Sequence, residues 1–390
     1  MRTEMLENSY TYRAERAVRH TPAARNGHRL THSSASGEVV LAYLDKHAAR
    51  LKTLDAAVRH NRPNSVHQMR VSTRRLRSTL QSFRMILNAS ATSHLRDELQ
   101  WLGRILGEAR DSEVLSEHLR AALAGAPPEL VLGPAQARVR AHFAPREAAA
   151  RSAVLDALDS ERYAELLGEL DDLLEKPPLT AAAAEPAGQV LPRAATREYK
   201  RTRRRMRRAR LAPAGQPREV ALHETRKAAK RARYAAEAAV PVIGKKARRF
   251  ARRMKAVQSV LGDHHDAVNA RAAAREIGVH AHMAGENAFS FGMLNERAYR
   301  DAPEYEEQAR AAWKRAARAQ RKWLGWVITT RRSNMADGLS AHSGGCGPTR
   351  SAERGGTGGG QPDGGGRRRR DRRADIGSSA DPGRVAGHSA

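Results

Sequence analysis

Two short motifs recur in the same order in this 390-residue chain, and that recurrence limits the fold more than any other feature. His67-Gln-Met-Arg70-Val-Ser-Thr-Arg74-Arg75-Leu-Arg77 returns as His223-Glu-Thr-Arg226-Lys227-Ala-Ala-Lys230-Arg231-Ala-Arg233, the histidine and the basic residues repeating at an offset of 156. Leu106-Gly107-Glu-Ala-Arg-Asp111 returns as Leu261-Gly262-Asp-His-His-Asp266 at an offset of 155. Two elements in one order, about 40 residues apart each time, read as a tandem duplication of a single structural unit. The chain therefore has to build one architecture twice.

That architecture is helical. Between about 37 and 328 the sequence is rich in Ala, Leu, Arg and Glu, the strong helix formers, and alternating β-branched strand patterns are absent. Breaks fall at Asn61-Arg62-Pro63-Asn64, Gly125-Ala126-Pro127-Pro128, Pro177-Pro178, Pro213-Ala214-Gly215, Pro241 and Gly244. They predict an all-α fold of roughly ten to twelve helices with short connections. The best internal boundary is Lys176-Pro177-Pro178-Leu179, giving a first unit over about 37–176 and a second over about 190–328. Residues 1–36, with Pro22, Gly27 and Ser33-Ser34-Ala35-Ser36-Gly37, read as a flexible lead. Residues 331–390, with Arg367–Arg370 and the glycines of 355–366, read as a disordered Gly/Arg tail.

The repeated motif writes a charged stripe onto each helix. At about 100° per residue, Arg70, Arg74 and Arg77 fall within an arc of roughly 80° of His67. Met69, Leu76, Leu80, Phe83 and Leu87 lie on the far side, as a core face. His223, Arg226, Lys230 and Arg233 take the same four angles in the second copy. A solvated basic face ordinarily mixes signs, but Asn64 to Ala91 contains no Asp or Glu. Like charges one turn apart cost about 0.2–0.5 kcal/mol per pair on an isolated helix. A row of donors for successive anionic groups fits better, since guanidinium forks match phosphate oxygens. Arg193, Arg197, Lys200 and Arg204 form a further row, and Arg248, Arg252 and Lys255 another. Together they suggest an extended basic groove.

Charge makes the partner class explicit. The net charge is +28, from 70 Lys+Arg against 42 Asp+Glu. Residues 331–390 hold 11 Arg and 6 Asp+Glu, a share of +5, so +23 of the +28 lies on residues 1–330. The folded part is therefore the polyanion binder. The single cysteine, Cys346, excludes a disulfide framework and any multi-thiolate site. No apolar run approaches the ~18 residues of a membrane span, and the charged N-terminus lacks a secretory h-region, so a soluble, cytoplasmic protein is expected.

These residues resemble the CHAD family, the conserved-histidine α-helical domain. The matching stretches are Val66–Val71 with Arg74-Arg75-Leu76-Arg77, Leu106-Gly107 with Arg110-Asp111, Leu222–Lys227 with Lys230–Tyr234, and Leu261–Asp266. Ser160-Glu161-Arg162-Tyr163, running on to Pro177-Pro178-Leu179, resembles the close of the family's first half. The resemblance covers about 37–328. It implies two pseudo-symmetric four-helix bundles with basic residues lining a channel or groove. It also implies binding of inorganic polyphosphate and association with polyphosphate granules in bacteria. Many members carry an N-terminal CYTH triphosphatase domain. Only about 36 residues precede the match here, without a Glu-x-Glu-x-Lys motif, so a stand-alone binding module is expected. The Arg/Gly tail departs from typical members.

The expected polyphosphate-binding set is Arg70, Arg74, Arg75, Arg77, Arg226, Lys227, Lys230, Arg231 and Arg233, then His67 and His223. Arg193, Arg197, Arg204, Arg252 and Lys255 form an outer wall. The histidines are expected to donate to phosphate, particularly below pH 7. Asp111 and Asp266 would orient the basic chains or cap a following helix, and Gly107 and Gly262 would be structural.

Enzymatic motifs are missing. His223-Glu224 meets Lys227 where a zincin needs its second histidine, and Gly244-Lys245-Lys246 lacks the upstream glycine of a P-loop. No cofactor or catalytic residue is expected. His264-His265-Asp266 invites a metal, but adjacent side chains diverge by about 100° on a helix and the first copy has Ala109-Arg110 instead. The competing classes are nonspecific nucleic-acid binding, including through Arg367–Arg370, and recognition of phosphorylated or acidic proteins. Against the first, the basic rows lack interleaved aromatics for base stacking.

Overall fold

The computed structural model describes residues 29–340, with side chains described to residue 318. Among them are ten α-helices, two short 3-10 turns (Pro128–Leu130 and Ala181–Ala183), and no strand beyond the isolated bridges Ala35–Pro186 and Leu87–Leu179. In chain order the helices are α1 (Ser36–Arg59), α2 (Ser65–Ser82), α3 (Ser93–Ala124), α4 (Ala135–Asp159) and α5 (Glu161–Glu175). The second half supplies α6 (Ala187–Leu211), α7 (Gln216–Ala238), the single turn α8 (Val240–Ile243), α9 (Lys245–Met283) and α10 (Phe289–Ser340).

Most breaks fall where the sequence places them. Asn61 and Asn64 take left-handed φ of 51° and 60° between α1 and α2, a region asparagine tolerates better than most residues. Ser160 caps α5, its Oγ accepting from the Tyr163 N–H at 3.2 Å. The end of α2 had no such signal. Phe83, Ile86 and Leu87 are fully buried, and the chain is held there from outside: Thr180 N–H donates to the Ile86 carbonyl at 2.9 Å and Asn88 N–H to that of Pro178 at 2.8 Å.

In the first half, α1, α2 and α3 pack together with α4 and α5; in the second, α6, α7 and α9 pack side by side. The helix α10 joins the second group through buried Ala309, Ala312 and Ala316 and through Trp313, which stacks on Tyr199 with centroids 5.5 Å apart. The halves meet along a seam where α2 lies on α7, flanked by α1 on α6 and α3 on α9. Contacts across it are reciprocal. Arg75 pairs with Glu237 at 3.0 Å and Arg231 donates to Gln81 Oε1 at 2.7 Å; Arg75 and Arg231, like Gln81 and Glu237, stand 156 apart.

One continuous apolar core, from Val39 to Ala316, crosses the seam. A smaller one lies where the turn of the α3–α4 hairpin meets that of α9–α10, built on Leu119, Val139, Phe143, Ile277 and Phe291. The halves thus touch at the seam and again at the hairpin tips.

Two boundary expectations are corrected. Residues 31–36, expected to be flexible, are pinned to the start of α6: Gly188 N–H donates to the His32 carbonyl at 2.9 Å, Ala187 N–H to that of Ser34 at 2.8 Å, and Ser36 Oγ to that of Ala182 at 2.7 Å. The physical reason is that a helix's first N–H groups have no partner within the helix, and this strap supplies two carbonyls for them. The helix α10 also runs to Ser340, through the first ten residues assigned to the tail. Residues 1–28 and 341–390, including Cys346 and Arg367–Arg370, lie outside the described residues.

A side chain at position 188 would break the strap, since an added Cβ would overlap His32 Nδ1 and stand 3.0 Å from its carbonyl oxygen. Gly188→Ala is expected to cost about 1–3 kcal/mol in chemical denaturation and to make residues 29–36 the first site of limited proteolysis.

Candidate anion-binding site

The two repeated motifs are two parts of one device. From α2, the Arg70 guanidinium lies against α3 at Gly107, where an added Cβ would stand 3.3 Å from Nη2. One turn further along α3, Asp111 takes both ends of the fork, Nη1 to Oδ1 at 2.7 Å and Nη2 to Oδ2 at 3.2 Å. The second copy repeats the placement on glycine but not the bidentate bond. Arg226 of α7 lies on α9 at Gly262, an added Cβ there standing 3.5 Å from its Nε, and Asp266 is the carboxylate that most favours its charge. A mid-helix glycine costs about 1 kcal/mol relative to alanine; here it clears the floor on which a guanidinium rests. Asp111 and Asp266 stand inside long helices and so cap neither, and Asp111 holds the Arg70 fork.

The two cradles face each other. Arg226 feels Arg74, Asp111 and Arg70 of the first half as well as its own Asp266. Between them lies Lys230, largely buried, whose ammonium is driven down to about 6 by desolvation first and then by Arg74, Arg226 and Arg70. Arg74 donates from Nε to Tyr234 Oη at 3.0 Å and has no carboxylate partner among the described residues. Burial raises the Asp266 carboxyl, with Arg226 opposing it.

Not every expected ligand faces this cluster. Arg75 and Arg231 are the reciprocal seam ties, Arg231 also pairing with buried Glu198 at 3.5 Å. Arg233 pairs with Glu237 at 2.6 Å and donates to Gln258 at 3.2 Å. With Arg74 and Arg75 it surrounds the ring of buried Tyr234, at 5.5–5.9 Å from its centroid. Arg77 donates to Gln100 Oε1 at 2.5 Å. Exposed Lys227 pairs with Glu224.

The motif histidines are held neutral. His67 is lowered by what burial it has and then by Arg110, Arg74 and Arg70. His223, its ring centroid 4.3 Å from that of His265, is lowered to about 4 by burial and then by His265. Charged donation by His223 just below pH 7 is therefore displaced to about pH 4 in the free protein. His264 is buried beside Glu219, Glu306 and Arg271, whereas His265 turns to His223. The adjacent histidines diverge as expected, and neither joins a three-ligand cluster among the described residues.

On the outer wall, Arg193 pairs with Glu185 at 3.5 Å and Arg197 donates to the Ser82 carbonyl at 2.9 Å, with Arg84 nearby. Arg204, Arg252 and Lys255 are exposed and make no ion pair among the described residues. The face of α6 turned to the seam carries Arg201 and Arg205, which act on Arg231 together with Arg77. Neither was in the expected set. The signal was a row at i, i+4 and i+8 starting from Arg197, overlooked beside Arg193, Arg197, Lys200 and Arg204.

What these residues define is a helical protein with two arginine clusters packed on glycine–aspartate motifs. The CHAD domain family model matches residues 42–275, and the chain belongs to that family. Two Mycobacterium tuberculosis proteins, the uncharacterized proteins MT2285 and Rv2226, are each 35% identical over 271 residues, or 69% of this chain. The aligned region is 51% of each relative, so the chain spans about half the length of the curated relatives it matches. Among solved structures, the CHAD domain from the plant Ricinus communis is similar at 26% identity and a TM-score of 0.59, over 76% of this chain and 97% of that one. PptA from Streptomyces chartreusis shares the fold at 22% identity and a TM-score of 0.59, over 72% of this chain and all of its own. No described helix is long and apolar enough to cross a membrane.

Lys230 gives this site a stability signature. Its folded pKa of about 6 lies below the ordinary lysine value, so above pH 6 the unfolded chain binds the extra proton. Stability from this group therefore rises with pH from about 6 towards the lysine range. Lys230→Met is expected to be more stable than wild type at pH 7 and to flatten that rise, as read from denaturation midpoints between pH 5 and 10.

Proposed function

We propose that this chain binds inorganic polyphosphate along the α2–α7 seam, as a binding module and not as a catalyst, and that this binding associates it with polyphosphate granules. The observation that carries the reading is a largely buried lysine surrounded by three arginines from both halves. Such an arrangement costs folding free energy through desolvation and like-charge repulsion. A chain of phosphates reverses both terms, supplying an anionic oxygen to each guanidinium and restoring the charge on Lys230. Family membership supports the same ligand class.

Polyphosphate fits better than a nucleic acid because stacking is what the seam lacks. Tyr234 is 2% exposed and its ring is ringed by guanidinium groups, so it offers no platform for a base. Arg70, Arg74, Arg226 and Lys230 are the inner ligands of this reading. Arg77, Arg201 and Arg205 form the wall beside them, and Arg75 and Arg231 hold the seam together.

The test is competition at about 150 mM salt, where screening limits loose electrostatics. Labelled long-chain polyphosphate on the full chain is challenged with single-stranded DNA, RNA and heparin. Polyphosphate is expected to outcompete all three, and equal competition would reduce the protein to a generic polyanion binder. Arg70→Gln with Arg74→Gln and Arg77→Gln should weaken binding at least tenfold, since each charge-assisted bond is worth about 1.5–3 kcal/mol; the helix survives because Gln is a good helix former. Arg75→Gln should instead lower stability and leave the folded protein's affinity near wild type. Unchanged affinity in the triple variant would make the stripe mere surface.

Binding should also take up a proton. The polyanion raises the Lys230 pKa from about 6, so affinity is expected to fall as pH rises from 6 to 9 and to do so less in Lys230→Met. Calorimetry in buffers of different ionisation enthalpy reads the proton count directly.

A further inference from the structure

The hairpin tips carry a second set of convergent side chains that the seam does not use. His142 lies on α4, and Glu276 and His280, four residues apart, share one face of α9. One ligand atom from each lies within 4.8 Å of the other two. We propose that His142, Glu276 and His280 form a binding site for a divalent transition cation of the zinc, cobalt or nickel class, which clamps α4 to α9.

The donor set points to that class. Two imidazoles and one carboxylate suit borderline divalent ions, whereas calcium and magnesium take all-oxygen sites. Ligands about 2.0–2.1 Å from zinc in a tetrahedron stand about 3.3 Å apart. The tips already have a rigid floor in the small core of Val139, Phe143 and Ile277, and His142 packs edge-on to Phe143 at 4.8 Å.

What fills the place of the cation is informative. Arg146 donates from Nη2 to Glu276 Oε1 at 2.7 Å, and its other terminal nitrogen is in contact with His142 Nε2. A single guanidinium thus engages ligand atoms on both helices. Arg146 is half exposed and able to swing into solvent. It acts as a placeholder whose displacement sets the affinity: the metal competes with it. The second clamp, Arg138 to Glu286 at 2.5 Å on both arms, lies two turns away on the same face of α4 and keeps the tips aligned during the exchange.

The test needs the metal alone and no polyanion, so its outcome is independent of the polyphosphate reading. The full chain, stripped with chelator, is titrated with Zn2+ by calorimetry and with Co2+ by visible absorption. Wild type is expected to bind one equivalent that His142→Ala and His280→Ala both lose, and to melt at a higher temperature with Zn2+ only when the site is intact. Glu276→Gln should weaken it about tenfold, the range for loss of one supporting ligand interaction. Arg146→Gln should tighten it, which a chance pair of surface histidines would not do. All these side chains are at least partly exposed, and circular dichroism of the metal-free variants checks the fold. Equal stoichiometry in wild type and the His142 and His280 variants overturns the proposal. So does absence of Zn2+ and Co2+ binding, or an Arg146→Gln affinity no tighter than wild type.

Discussion

A guanidinium resting on a glycine in the middle of a helix is the contact on which this structure turns. At Gly107 and again at Gly262 the helix gives up a side chain and about 1 kcal/mol of propensity, and an arginine from the neighbouring helix occupies the space. The aspartate one turn on fixes the fork bidentately in the first copy and biases it electrostatically in the second. An alanine at 107 would press on Arg70 at 3.3 Å, whereas at 262 its Cβ would meet Arg226 at an ordinary contact distance of 3.5 Å. The separation of the two motifs by about 40 residues is thus the path from one face of a helical hairpin to the other. The arginine and its floor come from adjacent antiparallel elements.

From that contact the seam's two layers follow. Arg75–Glu237 and Arg231–Gln81 meet across the interface and hold the halves in register. Arg70, with its partner Asp111, converges with Arg74 and Arg226 on Lys230, and Lys230 bears the consequence in its depressed pKa. A structure selected for stability alone would place an apolar side chain there, since a well-packed hydrophobe commonly matches or exceeds a buried charge. In the proposed function, the lysine is accounted for by an anion that arrives after folding.

The sequence carried the fold because helical signals are local. Asn61, Asn64, Ser160, Gly215 and Gly244 each act within a turn of themselves, and each marks an observed helix end. It carried the identity of the cradles as well, through repetition. It could not reveal the division of labour within a stripe. Arg74 and Arg75 are neighbours of one type, and only the position of Glu237, more than 160 residues away, makes the second a seam tie. The strap at 31–36 was invisible for the same reason: its polar, Ser-rich composition reads as loose chain, and its order comes from carbonyls meeting the unpaired N–H groups of a distant helix start. Arg201 and Arg205 were legible as a row, but which of two overlapping rows faces the seam is decided by the buried side of α6, where Glu198, Thr202, Met206 and Ala209 lie.

The fold's near-symmetry does not extend to its charge. The helix α1 carries four basic residues and three acidic ones, and several are neutralised internally, as in Lys52–Asp171 and Arg59–Asp55. Its counterpart α6 carries ten basic residues and one acidic. On the proposed function, a polyanion approaching the seam meets a field concentrated on one flank. Exposed arginines there act over no more than about 8 Å at physiological salt, so their contribution on that reading lies in capture and in the salt dependence of the association rate. Arg70, Arg226 and Lys230 would then act at contact, where desolvation strengthens each interaction, and govern dissociation. The two cradles share a plan but not a geometry, and on the proposed function the unequal charge of α1 and α6 assigns encounter to one half while retention is shared by both.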